Sequence, residues 1–145
     1  MAHDFKKFPE LLTSQFNFYY MDSPHKQITE NFEAHIIKVH DGDTVTLQTD
    51  FRNFSFPLRM ANIAAKEINE NGEESRDWLA SQVLGKDVTV IIDKNNRVGK
   101  YGRLIGIIME SGLDINKQSI LQGMSIPFGT RQHSIPTLNQ IGETI

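Results

Sequence analysis

Two aspartates separated by one glycine form the first group of residues that could do chemistry. Asp41 and Asp43 lie in the segment HDGDTVTL, between two runs that alternate apolar and polar residues. Asp-Gly between such runs predicts a β-hairpin whose turn needs the positive φ that glycine supplies. Asp41 can close that turn through its own side chain, but aspartate is a poor strand former at position 43. A carboxylate there indicates an oxygen ligand for calcium or magnesium, and the alternative is a solvated turn.

Three charged residues further along the chain could act on an anion. Arg59 lies in FPLRMANIAAKE, Glu67 ends that segment, and Arg103 ends the tetrapeptide KYGR. A guanidinium stays ionised at any working pH and donates two hydrogen bonds at once, which suits phosphate. Each residue also has a plain structural interpretation, because exposed charges on strands or beside Lys66 are usually solvated and contribute little. Taken singly, these residues leave both interpretations open.

The elements that must position these residues alternate with a period of two from Phe32 onward. Alternation in the third segment puts Arg59 on the face opposite to its apolar residues. Pro57 in the same segment predicts an edge position or a bulge, because proline has no N–H for a sheet ladder. The predicted strands cover residues 33–40, 44–51 and 54–60.

The period changes to that of a helix after Gly72. Residues 73–84 predict about three helical turns, with glutamates in the first turn and Gly85 just after the end. Trp78 is predicted to belong to the core rather than to a ligand site.

The remaining pattern completes a small mixed fold. Strands are predicted at 88–93 and 104–109, and a last helix is predicted to begin at an Asp114 cap and end at Gly123. This order of elements predicts an α+β fold, mainly β, with a curled five-stranded sheet or a small Greek-key barrel.

The order and spacing of the motifs resemble the staphylococcal-nuclease (thermonuclease) family. That family has a DGDT turn, an R-L-x-G-I-D-[AT]-P-E segment and a D-x-Y-G-R segment, and the resemblance covers residues 32–128. It implies an OB-fold, which is a five-stranded Greek-key barrel with packed helices. It also implies a metal-dependent nuclease that hydrolyses phosphodiester bonds in DNA, RNA or both. The alternative function is a non-catalytic OB-fold module that binds nucleic acid or protein.

The resemblance implies three catalytic residues. Arg59 and Arg103 would grip the phosphate and stabilise charge that develops in the transition state. Glu67 would orient or deprotonate the attacking water. The five histidines are scattered, and no serine or cysteine nucleophile is indicated, which favours attack by water in one step.

Ligand positions follow from the same resemblance. Asp43 matches a metal ligand, with calcium as the first expectation and magnesium as the second. Asp41 would support the turn or the outer shell of the metal. Lys100 and Tyr101 match positions that contact the terminal phosphate of the substrate.

One segment departs from the family pattern. Where the family has Asp, a small residue, Pro and Glu, this chain reads Ala64-Ala65-Lys66-Glu67. The second metal carboxylate is therefore missing at Ala64, and the metal would keep Asp43, the Ala65 carbonyl and water, so its affinity should fall steeply. The chain is then either an inactivated form of an active parent, which we favour, or a natural relative with altered use of metal.

Composition sets further bounds. A chain of 145 residues with 39% hydrophobic content suits one modest core, and the absence of cysteine excludes disulfides and thiolate metal sites. A net charge of −3 excludes a basic surface over the whole chain but allows a local basic cleft. No signal peptide or membrane span is visible, so we expect a cytoplasmic or virus-particle location and no membrane partner.

Three regions are predicted: an N-terminal extension at 1–31, a nuclease-like domain at 32–128 and a partly ordered tail at 129–145. The extension carries a cluster of aromatic residues from Phe16 to Tyr20. It could pack on its own domain, or serve a protein partner or self-association. Because the family pattern begins after it, we expect the barrel to fold without it.

Overall fold

The protein is described by a computed structural model that covers residues 3–65, 72–99 and 102–128. The α-helices are α1 (Thr13–Tyr19), α2 (Gly72–Val83) and α3 (Ile115–Leu121), and a short 3-10 helix, Tyr20–Asp22, follows α1. The strands are β1 (Phe32–Asp41), β2 (Thr44–Gln48), β3 (Phe56–Met60), β4 (Ile63–Ala65), β5 (Asp87–Ile91), β6 (Leu104–Glu110), β7 (Leu113–Asp114) and β8 (Ser125–Pro127).

Five strands close into a barrel. Their order is β3-β2-β1-β5-β6, and parallel pairing between β3 and β6 joins the two ends. The other neighbours pair antiparallel. Strands β4 and β8 form a separate two-stranded sheet beside the barrel. The predicted fold, mainly β with an OB-type barrel and packed helices, is confirmed.

Strand β1 pairs with two neighbouring strands and bends along its length. Its first residues pair with β5 and its later residues with β2, and the register with β2 shifts after Ile36 and again after Val39. Such bulges add local twist, which a small closed barrel requires. The second shift lies directly before the turn that carries Asp41 and Asp43.

The core fills the barrel and continues under α2. Leu79 and Val83 of α2 are fully buried, and Trp78 is partly buried against the same cluster, as predicted. The cap of α3 is also as predicted, since the Asp114 side chain accepts a hydrogen bond from the Lys117 N–H. The fully buried barrel residues include Ile36, Val45, Leu47, Leu58, Val90 and Ile108.

Short elements were missed, and strand ends differ by a few residues. Helix α1 and strands β4, β7 and β8 span seven residues or fewer, too few to establish a period. Strand β2 ends at Gln48 rather than 51, and β3 begins at Phe56. At Pro57 the strand pairs with β2 alone, because pairing with β6 begins at Leu58, so the missing N–H falls at a local edge.

The N-terminal segment packs into the fold. Glu10 and Leu11 are fully buried and Ile28 is 5% exposed. These contacts argue against the expectation that the barrel folds without residues 1–31. The division into an extension, a domain and a tail stays a prediction, and the tail at 129–145 lies outside the described residues. In the described part of the chain, no helix is both long and apolar enough to cross a membrane.

Candidate active site

The turn between β1 and β2 is held by its own side chains. The Asp43 N–H donates to Asp41 Oδ1 at 3.0 Å, and the Thr44 hydroxyl donates to Asp43 Oδ1 at 3.0 Å. The Asp43 carbonyl accepts from the Met60 N–H at 2.8 Å, which ties the turn to the end of β3. These bonds fix the Asp43 carboxylate beside the third strand of the barrel.

Glycine is required at position 42 by space rather than by backbone conformation. Gly42 does not have a positive φ, so the turn chemistry expected from the sequence is wrong at this residue. A Cβ added to Gly42 would lie 2.7 Å from the Cβ atoms of Ala65 and Ser75. The turn is thus packed directly between β4 and α2, an approach that a side chain at position 42 would prevent.

Arg59 lies next to Asp43 because of the strand register. Thr44 pairs with Arg59 across β2 and β3, and the Arg59 Nη2 lies 3.4 Å from Asp43 Oδ2. Asp43 Oδ2 also accepts a hydrogen bond from the Ala65 N–H at 3.0 Å. Arg59 also donates through Nη1 to the Met60 carbonyl at 2.8 Å, and its guanidinium lies 5.6 Å from the centre of the Phe128 ring. The arginine is therefore held on several sides.

The pKa values of the two aspartates are shifted in opposite directions. Burial raises the pKa of Asp41, and the neighbouring Asp43 carboxyl adds to the rise. Burial is also the largest influence on the pKa of Asp43 and opposes its ionisation. Its hydrogen bonds with Asp41 and Ala65, the charge of Arg59 and the bond from Thr44 together outweigh burial, so the pKa of Asp43 is lowered. Asp43 is therefore the more readily ionised member of the pair.

The second arginine reaches the same cavity from another strand. Arg59 pairs with Ile105 in the parallel ladder of β3 and β6, and Arg103 directly precedes β6. Arg59 and Arg103 both line a cavity of about 300 Å³, together with Asn62, Asn96 and Phe128. Two arginines that line one cavity are suited to bind a phosphate there, because a guanidinium offers both donors and positive charge.

Asn62, Asn96 and Phe128 were not singled out from the sequence. The Phe128 N–H donates to the Asn62 carbonyl at 2.8 Å, which brings the chain after β8 against the turn between β3 and β4. Asn62 has a φ of 65°, a conformation that asparagine tolerates better than most residues. An asparagine two residues after the end of the predicted strand 54–60 was the available signal, whereas nothing local marks Phe128 as a neighbour of Arg59.

The remaining predicted site residues fall into two groups. Ala64 and Ala65 are described and lie in β4, where they pair with Ile126 and Ser125 of β8. The group of Ala65 that contacts Asp43 is its N–H, whereas the prediction gave a ligand role to its carbonyl. The predicted residues outside the described part of the chain are Glu67, Lys100 and Tyr101.

The described residues do not fit a tightly held divalent cation. Among residues 3–65, 72–99 and 102–128, no group of three or more His, Asp or Glu lies where it could share a metal ion. The carboxylate oxygens of Asp43 already contact Thr44, Ala65 and Arg59, and Ala64 has no side-chain oxygen. Calcium and magnesium bind through many oxygen ligands, so this donor set is poor. The predicted metal site stays a prediction.

Comparison with known proteins identifies the relatives of this chain. The sequence model of the family described as "Staphylococcal nuclease homologue" matches residues 57–142. Proteins named "Uncharacterized endonuclease" from Escherichia coli O157:H7 and from Escherichia coli are each 32% identical over 95 residues, covering 64% of this chain. An uncharacterized protein from Bacillus anthracis is 24% identical over 102 residues, covering 67% of this chain. The chain spans 59% of the length of each Escherichia coli relative and 48% of the Bacillus anthracis protein.

Proposed function

Because the chain belongs to the staphylococcal nuclease homologue family, we propose that it acts on nucleic acid by hydrolysing phosphodiester bonds in DNA, RNA or both. The observation that carries the proposal is the placement of Arg59 and Arg103 at one cavity of about 300 Å³. Arg59 lies in β3 and Arg103 directly precedes β6, so only the folded barrel brings the two residues to one cavity. The word endonuclease in the names of the Escherichia coli relatives supports the same class of reaction.

The two arginines would act on the phosphate that is cleaved. Water adds to phosphorus, one P–O bond of the backbone breaks, and the leaving oxygen takes up a proton, giving a phosphate monoester and a hydroxyl. Negative charge on the equatorial oxygens is stabilised by donors that are already oriented. Arg59 is held by Asp43, the Met60 carbonyl and the Phe128 ring, so little reorganisation is needed when the phosphate arrives. Glu67 keeps its proposed role as the base for water.

The proposed function includes a divalent cation. A divalent cation, calcium before magnesium, would bind near Asp43 with low affinity, because Ala64 supplies no second carboxylate. The chain would consequently cleave more slowly than a relative with aspartate at this position. Asp41 would support the turn, because its side chain accepts a hydrogen bond from the Asp43 N–H.

A second candidate is a module that binds nucleic acid without cutting it. The engagement of Asp43 by Thr44, Ala65 and Arg59 favours this candidate, because it leaves the carboxylate few free lone pairs. Both candidates share the cavity with its two arginines, so affinity alone does not separate them.

Cleavage assays separate the two functions. Labelled single-stranded DNA, double-stranded DNA and RNA are incubated with calcium, with magnesium and with chelator, and the products are resolved on gels. Slow cleavage that is lost in Arg59→Ala and kept in Arg76→Ala supports the nuclease. Arg76 is a matched control because it is a helix arginine that does not line the cavity. Tight binding in chelator with no cleavage under any condition would favour the module.

A further inference from the structure

Glu10 lies at the centre of a fully buried charge cluster on the N-terminal segment. Its side chain is 0% exposed, and its Oε2 accepts from Arg97 Nη1 at 3.0 Å and from the Ile28 N–H at 2.9 Å. Its Oε1 accepts from Arg52 Nη2. Removing one member of such a cluster leaves buried charges unpaired, so the cluster is a strong attachment point.

Arg97 is bound to the N-terminal segment by more than Glu10. Its Nη1 donates to the Ile28 carbonyl at 2.8 Å, and its Nη2 donates to the Leu11 carbonyl at 2.9 Å. The guanidinium also lies 5.4 Å from the centre of the Phe16 ring in α1. The position of the Arg97 side chain is therefore set by residues that precede the barrel.

Arg97 belongs to the paired segment that also carries Arg103. Residues 97–105 form two facing arms, here called the Arg103 hairpin, of which residues 100–101 are outside the described part. The Gly99 N–H donates to the Arg103 carbonyl at 2.7 Å, and the Ile105 N–H donates to the Arg97 carbonyl at 2.8 Å. Because these bonds join the two arms, fixing the position of Arg97 also restricts the position of Arg103.

The other arm of the Arg103 hairpin is attached to the same residue. The Glu10 N–H donates to the Gly102 carbonyl at 3.1 Å. Gly102 has a φ of +90°, and a Cβ at this position would collide with the Glu10 carbonyl oxygen. Glycine is needed here because the backbone of residue 10 lies directly against the residue that precedes Arg103.

We propose that Glu10 is a positioning residue that clamps both arms of the Arg103 hairpin and so fixes Arg103 opposite Arg59. The proposal rests on the proposed function, in which the two arginines grip one phosphate. A misplacement of about 1 Å costs around a hundredfold in rate, so the attachment of the hairpin decides how well Arg103 acts. The N-terminal segment, which lies before the matched family region, is then part of the catalytic apparatus.

Two variants and a matched control test the clamp. Gly102→Ala introduces the collision with Glu10 and leaves the charge cluster intact, whereas Glu10→Gln removes the charge and keeps the size. Gly112→Ala is the control, because Gly112 also has a positive φ, of +83°, but nothing lies within 4 Å of its added Cβ. Each variant is measured by native-state hydrogen exchange, by affinity for a single-stranded oligonucleotide in chelator and by cleavage rate.

The expected result is local. Exchange at the Gly99 and Ile105 amides rises roughly tenfold or more in Gly102→Ala and Glu10→Gln, while amides of β1 keep their protection in Gly102→Ala. Oligonucleotide affinity and cleavage fall in these variants but not in Gly112→Ala. The losses disappear when the same changes are made in an Arg103→Ala background, since a residue that acts through Arg103 has nothing left to position.

Several outcomes would overturn the clamp. They are unchanged exchange in the Arg103 hairpin of both variants, losses in binding that persist in the Arg103→Ala background, or equal losses in Gly112→Ala. A wild-type chain that neither binds nor cleaves nucleic acid would instead overturn the nuclease proposal. Exchange at Gly99 and Ile105 would still decide whether Glu10 holds the hairpin, so the two failures are distinguishable.

Discussion

Two clusters of arginine and carboxylate in this molecule have similar chemistry and different surroundings. In the N-terminal cluster the side chains of Glu10, Arg52 and Arg97 are 0%, 1% and 7% exposed. In the cavity pair, Asp43 and Arg59 keep 15% and 19% of their side chains exposed, and Arg59 lines a cavity. The first cluster is closed to ligands and can only hold the chain in place. The second includes an arginine that lines a cavity of about 300 Å³.

The ion pairs of the two clusters also differ. Glu10 faces two arginines, and the Nε and Nη1 of Arg52 are buried without a hydrogen bond, with the guanidinium 4.5 Å from the centre of the Phe56 ring. Within the described part of the chain, Arg59 lies at the longer distance of 3.4 Å from the Asp43 carboxylate. Loss of one member of the buried cluster would leave buried charge unpaired, whereas the arginine of the cavity pair lies where a ligand could reach the cavity that it lines. This comparison predicts which substitutions affect activity and which affect folding.

The largest effect is expected on catalysis at the cavity. Arg59→Ala and Arg103→Ala should each lower the cleavage rate of an active form by about two to four powers of ten, the size expected for a lost transition-state contact. The fold should remain nearly intact because neither side chain lies in the core. Rates and circular dichroism melts measure both effects. Unchanged cleavage in both variants would remove the catalytic assignment.

Truncation at the buried cluster should act on stability instead. Glu10→Ala should lower the free energy of unfolding by about 3–5 kcal/mol, because two buried guanidinium groups lose their carboxylate. Glu30→Ala, at an exposed position of the N-terminal segment, is the control and should change it by less than about 0.5 kcal/mol. Denaturant titration measures both.

For the same reason, deletion of residues 1–31 should unfold the chain, and a deletion protein with native circular dichroism would refute this.

Restoring a carboxylate at position 64 would move the cavity pair toward metal binding. In Ala64→Asp, a second carboxylate near Asp43 should repel it in chelator and bind calcium with it when calcium is present. At a metal concentration one hundred times the Kd, binding adds about 2.7 kcal/mol to stability. Melting should therefore rise with calcium in this variant by a margin that the wild type lacks, and cleavage should increase. Calorimetry without metal binding would show that the two positions do not share a site.

The close approach at Gly42 predicts a moderate effect on stability. Gly42→Ala places a Cβ 2.7 Å from those of Ala65 and Ser75, and such overpacking typically costs about 1–3 kcal/mol. The turn that carries Asp43 should move away from β4, so cleavage should fall as well. Thermal unfolding and cleavage rates together test this. A variant with wild-type melting would mean that β4 and α2 yield easily.

The smallest expected effect is the acid dependence of the cavity pair. Because the pKa of Asp43 is lowered, its contribution to stability is present above the unfolded aspartate pKa, near 4, and is lost as pH falls through the lower folded value. The raised pKa of Asp41 acts in the opposite sense, since its ionisation is disfavoured in the fold as pH rises. Melting from about pH 3 to 7 should thus be less acid-sensitive in Asp43→Asn than in the wild type. Parallel curves would contradict the assignment.

The sequence by itself determined the barrel and the strand that carries Arg59. Alternation in β1, β2 and β3 follows from burial of one face, and the helical period of α2 follows from its contact with the core, so both patterns are visible locally. The cap at Asp114 is local as well. The order of the motifs also identified the family, which the match at residues 57–142 confirms.

Tertiary structure alone decided what surrounds those residues. Gly42 is glycine because β4 and α2 approach it, Phe128 meets Arg59 across 69 residues of sequence, and Arg97 binds Glu10 across 87. No local period encodes a contact between segments so far apart. The pattern around each residue reflects only the strand or turn in which it lies, and the partners meet only when the barrel closes. For the same reason, the sequence gives no sign that the barrel needs the N-terminal segment. The contacts of the buried Glu10 carboxylate with two arginines connect that segment to the Arg103 hairpin.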